Sequence, residues 1–157
     1  MFDKIKIAST EYEESIKQIK ITLRNELNEK LKSDSTELKE TYPNLDRIFF
    51  LGSTPHWNDG EECSHKSYVY IENGSGYSDC CEYFECVYGW DNPEIPDHLI
   101  KSNKNLNDNE IHAIKNIIRN SGLEKILEVI FETNFNVIID FTGDEVQITV
   151  ADYDCGY

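Results

Sequence analysis

FNVIIDFTGDEVQITV, residues 135 to 150, is the stretch that sets the fold class. Phe135, Val137, Ile139 and Phe141 fall on alternate positions, Thr142 to Asp144 supply turn chemistry, and Val146, Ile148 and Val150 resume the alternation. Period-two patterning on both sides of a short polar segment containing glycine is what a half-buried antiparallel β-hairpin requires. Upstream of it, Ser121 and Glu124 stand at capping-box spacing, and Leu123, Ile126, Leu127, Ile130 and Phe131 share one helical face. Asn107 and Glu110 precede Ile111, Ile114, Ile117 and Ile118 in the same relation, so another helix is expected there.

Further toward the N-terminus, Arg47 to Leu51 is an almost wholly apolar run ending at Gly52. Ser67 to Glu72 alternates Val69 and Ile71 with Tyr68 and Tyr70. Both read as strands, joined through Thr54 to His65, where Asn58, Asp59 and Gly60 favour a tight turn. A third strand is expected at Glu82 to Tyr88 after the Gly74 to Asp79 turn, with Pro93 and Pro96 marking an irregular crossing. Before all of these, Thr10 and Glu13 are spaced to cap a long amphipathic helix carrying Tyr12, Ile16, Ile19, Leu23, Leu27 and Leu31 on one stripe. The polar run Ser33 to Thr36 is expected to break or recap it, leaving a shorter continuation through Leu38 and Tyr42 that stops before Pro43. The expectation is one α+β domain over residues 1–157: an antiparallel sheet, formed by a meander plus the C-terminal hairpin, packed against a long N-terminal helix and two further helices.

Composition narrows the function classes. Fifteen basic and thirty acidic side chains give a formal charge of −15, which opposes direct binding to nucleic acid or to anionic membranes. Residues 44 to 100 hold −9 of it, with Arg47 and Lys66 their only formal cations. No apolar run is long enough to span a bilayer and the first residues lack a signal-peptide core, so the expected address is the cytoplasm. Cys63, Cys80, Cys81, Cys86 and Cys155 are odd in number and irregularly spaced, and read as reduced thiols.

Two groups of side chains invite chemistry. His56, Cys63 and His65 lie in the densest collection of possible metal ligands, and zinc accepts thiolate and imidazole in tetrahedral geometry; the spacing also suits a plain hairpin loop. Trp57, Tyr68, Tyr70 and Tyr83 stand among Asp59, Glu61, Glu62, Glu82 and Glu85. Rings supply buried area while carboxylates steer a basic partner, so these nine residues are the candidate contact set; a sheet face covered by tyrosines is the alternative. No phosphate-binding glycine loop occurs, since the glycines at 74 and 76 precede no apolar helix.

TPHWNDGEEC, Thr54 to Cys63, resembles a motif of a family of small uncharacterised bacterial and phage proteins, in which threonine-proline, an aromatic residue, asparagine-aspartate-glycine, an acid and a cysteine follow a strand. Leu123 to Asp154 is similar to the helix, hairpin and acidic-aromatic tail of that family. His56 stands where the family's ring is expected, and Cys63 leads into Ser64 and His65 rather than an apolar strand. The resemblance implies a fold and a phage setting, with no catalytic residues.

Three functions are compatible with these residues. One is an acidic protein-binding module, such as a phage-encoded inhibitor or nucleic-acid mimic that docks a basic surface on a host nucleic-acid-handling protein. Another is a metal-dependent enzyme or metal-stabilised domain using the 56–65 loop. The last is a structural or assembly protein associating through helix 10–32.

Overall fold

The computed structural model describes residues 3–55, 60, 62–72, 80–89, 95–100, 106–132, 134–151 and 153. In chain order their elements are α1 (Asp3–Thr41), β1 (Arg47–Ser53), β2 (Lys66–Ile71), α2 (Cys81–Tyr88), α3 (Asp97–Ile100), α4 (Asp108–Ser121), α5 (Leu123–Phe131), β3 (Phe135–Asp140) and β4 (Gln147–Ala151). The strands form one antiparallel sheet in the order β2-β1-β3-β4. β1 is therefore an inner strand, with Phe50 opposite Val69 on one side and opposite Val137 on the other.

The apolar run in β1 has a direct cause: both faces of the sheet are covered. Ile48 and Phe50 point to one face, where Val137, Ile139, Ile114, Ile118, Leu127 and Leu31 complete the larger core under α1, α4 and α5. Phe49 and Leu51 point to the other, against Cys80, Tyr83, Phe84 and Leu99 from the α2–α3 side. Side chains alternate across a strand, so burial of both rows removes the polar row that a one-faced sheet would show. Each fully buried Phe or Ile contributes roughly 1.5–3 kcal/mol relative to exposure.

The C-terminal hairpin forms as its alternation predicts, with Val137 opposite Val150 and Ile139 opposite Ile148. The α4 capping box is present in full: Asn107 Oδ1 accepts from the Glu110 amide at 3.0 Å, and Glu110 Oε2 accepts from the Asn107 amide at 2.8 Å. Gly122, with φ 68°, turns the chain between α4 and α5 in the left-handed region that favours glycine. Ser121 closes α4 and its Oγ accepts from the Leu123 amide at 3.1 Å; Gly122, not Ser121, is the residue at the N-cap of α5.

Three further expectations are corrected. Glu82 to Tyr88 lies in α2, a helix rather than a third strand, because Cys80, Tyr83, Phe84, Val87 and Tyr88 recur at three and four residues and pack together on the sheet. Thr10 does not start α1, which is already helical at Asp3; its hydroxyl donates to the Lys6 carbonyl at 3.0 Å. Ser33 to Thr36 does not interrupt α1 either. Ser35 is buried against the body and Thr36 Oγ1 donates back to the Lys32 carbonyl at 2.8 Å, so both hydroxyl residues are absorbed into the helix.

Candidate functional site

The long first helix is anchored over its second half and unpaired over much of its first. Leu27, Leu31 and Leu38 pack into the core beneath α4 and α5. Further up, Arg24 lies 5.2 Å from the centroid of the Phe131 ring and Lys20 Nζ meets Glu132 Oε1 at 2.7 Å. Beyond these contacts Ile5, Tyr12, Ile19 and Leu23 stay exposed, Tyr12 at 67% and Ile19 at 59%. The stripe expected over helix 10–32 thus splits: Leu27 and Leu31 serve the protein's own core, whereas Tyr12, Ile19 and Leu23 face outward. Ile5 belongs with the outward set, and the misplaced cap at Thr10 hid it.

Of the nine candidate contact residues, Trp57, Asp59 and Glu61 lie outside the described residues. Tyr83 is fully buried, so it serves the core and offers no contact surface. Its phenol donates to Asn136 Oδ1 at 2.9 Å and its ring stacks on Phe49 with centroids 4.2 Å apart. The others converge in part. Tyr68 is exposed and stacks on half-buried Tyr70 with centroids 6.2 Å apart. Burial pushes the Tyr70 phenol well above its ordinary range, and the nearby Glu82 carboxylate adds to that. Glu82 is exposed and Glu85 half-buried on α2; Glu62 is exposed ahead of β2. Tyr68, Tyr70, Glu82 and Glu85 therefore make a small acid–tyrosine patch beside Cys86, whose thiol burial pushes up despite a hydrogen bond with Tyr153.

The loop read as a metal candidate is only partly described, since His56 lies outside the described residues. Cys63 and His65 are both half-buried. His65 Nδ1 lies 3.2 Å from Thr54 Oγ1, its ring centroid is 6.0 Å from that of Phe135, and its Nε2 is buried without a hydrogen-bond partner among the described residues. Among those residues no three His, Cys, Asp or Glu side chains come together as a metal-holding group.

Charge is concentrated elsewhere. At the end of the inner strands Arg47 Nη1 meets Glu72 Oε2 at 2.8 Å, with both side chains only 4% exposed, and Arg47 Nε meets Asp140 Oδ2 at 3.0 Å. Burial raises the Glu72 carboxyl above its usual range although Arg47 opposes the shift. At Asp140 burial is outweighed by hydrogen bonds from Thr142 and by Arg47, so its carboxyl titrates below the usual range. No local pattern marks this triad, because Glu72 and Asp140 stand 25 and 93 residues from Arg47 along the chain.

No protein-family model, curated protein or solved structure matches this chain. A cleft of about 240 Å³ opens between α1, α4 and α5, floored by Ile48, Phe50 and Ile139. Its lining is mostly apolar, with Lys30, Asp34, Ser35 and Ser121 as the polar members. None of the described helices is long and apolar enough to cross a membrane.

Proposed function

We propose that this chain is an acidic protein-binding module whose main contact element is the first half of α1. The observation that carries this reading is the outward row Ile5, Tyr12, Ile19 and Leu23 on a helix anchored by its other end. Exposed apolar side chains rimmed by charge mark interaction surfaces, and helical anchors spaced by four and seven suit a partner helix. The formal charge of −15 limits partners on the body itself to basic or neutral surfaces.

Affinity purification of the wild type and of a Tyr12→Glu, Ile19→Glu double variant from the native host tests the reading. Both positions are exposed, so the fold should persist, checked by circular dichroism. Loss of associated proteins, this chain's own copies included, supports the arm as contact element; an unchanged set removes it.

A second reading rests on the stacking of Tyr68 on Tyr70, with the Glu82 carboxylate near enough to raise the Tyr70 phenol. In it the Tyr68, Tyr70, Glu82 and Glu85 patch docks a basic surface, as an inhibitor or nucleic-acid mimic aimed at a host nucleic-acid-handling protein would. Association that weakens steeply with salt and with Glu82→Gln, Glu85→Gln, yet ignores the arm variant, selects this surface.

A further inference from the structure

Independently of the arm, we infer that β4 is a docking edge for an extended segment of another protein, one with alternating apolar residues and basic ends, which adds to the sheet as a further strand. β4 lies at one edge of the sheet, and its register with β3 runs unbroken from Asp140 opposite Gln147 to Asn136 opposite Ala151, so no bulge turns that edge away. In an antiparallel pair alternate residues aim their N–H and C=O at the neighbouring strand, and the residues between aim theirs outward. Gln147 to Ala151 make no backbone hydrogen bond beyond the β3 ladder among the described residues. Gln147, Thr149, Val150 and Ala151 are also exposed.

The composition of the strand lacks the usual guards. QITVA contains no charge and no proline, and Ile148, Thr149 and Val150 are β-branched, which suits a strand with neighbours on both sides. The opposite edge strand, β2, opens on exposed Lys66, a cation of the kind that blunts edge pairing. The outward amides and carbonyls of β4 specify the form of the occupant, because an extended backbone carries matching donors and acceptors at the same repeat. Side chains specify its pattern. Ile148, partly buried at the margin of the core, and Val150, 36% exposed, favour apolar neighbours on one face, while Gln147 and Thr149 favour polar ones on the other.

Charge decides whose strand this is. Lys32 holds Glu145 at 3.2 Å and Arg47 holds Asp140 at 3.0 Å, so those two carboxylates are already engaged. Asp144 still precedes β4, Asp152 and Asp154 follow it in the sequence, and residues 140 to 157 include no Lys, Arg or His. A second copy would bring the same uncharged strand, the same acids at both ends and a further charge of −15, so acid meets acid whichever way the strands run. A foreign strand ended by Lys or Arg meets opposite charge instead.

Titration of the full chain with a synthetic peptide of alternating Val and Thr ended by Lys, followed by amide NMR, tests this. Shifts centred on β4 and slowed exchange of its outward N–H groups are expected. The same peptide ended by Glu should bind about tenfold more weakly, and N-methylation of alternate peptide amides, in whichever of the two phases faces the edge, should abolish binding. Val150→Lys places a charge on the exposed edge and should weaken binding about tenfold or more, with the fold checked by circular dichroism. Shifts centred on the arm or on the Tyr68 and Glu82 patch, full binding by both N-methylated peptides, no binding at about 1 mM peptide, or a dimer of this chain that Val150→Lys dissolves would each overturn the inference. The Tyr12→Glu, Ile19→Glu variant should bind the peptide as the wild type does, so this edge and the arm stand or fall separately.

Discussion

Tyr83 donates a hydrogen bond of 2.9 Å to Asn136 across the boundary between α2 and β3, and both side chains are buried. This contact ties the shorter helical layer to an inner strand, and each partner depends on the other for satisfaction. Tyr83→Phe keeps the ring stacked on Phe49 but strands the Asn136 carbonyl oxygen. A loss of about 1–3 kcal/mol in urea-derived stability is expected. If the stability does not change, Asn136 has found another donor.

Arg47→Met should cost more, about 3–5 kcal/mol, since it leaves Glu72 and Asp140 without their shared cation. The pH dependence carries a sign for each acid. Glu72 titrates above its ordinary value of 4.5 in the fold, so its contribution is fully present below that value and lost as pH rises through the raised one. Asp140 titrates below its ordinary 3.8, so its contribution is present above that value and lost as pH falls through the lowered one. Melting temperatures across pH 3 to 8 should therefore show Arg47→Met recovering part of its deficit on acidification, as Glu72 gains its proton. Glu72→Gln should abolish that recovery.

Gly52→Ala should destabilise by about 1–3 kcal/mol through overpacking. A Cβ at Gly52 would come within 2.3 Å of the Phe135 ring, which packs directly over the glycine. Combined with Phe135→Leu, the cost should fall below the sum of the two single changes in a double-mutant cycle. Strict additivity would show that the ring moves aside freely.

Cys86 should react with a thiol probe at pH 8 more slowly than free cysteine, because burial raises its thiol. The Tyr153 hydrogen bond opposes that shift, so Tyr153→Phe should slow labelling further. Peptide mapping of the labelled protein reads both effects, and faster labelling in the variant would reverse the assigned role of Tyr153.

Where one physical signal dominated, the chain could be read directly. The β3–β4 hairpin forms where Phe135, Val137, Ile139, Ile148 and Val150 alternate, and Asn107 with Glu110 forms the box that its spacing implies. The error at α2 arose because EYFECVY satisfies two periods; Phe84, Cys86 and Tyr88 alternate, yet Tyr83 with Phe84 and Val87 with Tyr88 mark a helical stripe. Only the second face of the sheet, itself unseen in a local window, decides between them. The Arg47 triad was invisible for the related reason that β1, β2 and β3 bring distant residues together. Tyr83 illustrates the limit for sites: an aromatic residue among acids suggests a contact surface, and here the ring fills the core instead.

An α1 anchored at one end only has a consequence for how its first turns behave. Helices shorter than about 15 residues are marginal in water by themselves, so the segment around Ile5 and Tyr12 borrows its order from the turns below it or from whatever lies alongside. Its backbone amides should exchange with solvent long before those of β1. Any partner that packs on Tyr12 and Ile19 should slow that exchange, so the protection of residues 3–20 would gauge how fully the helix is occupied.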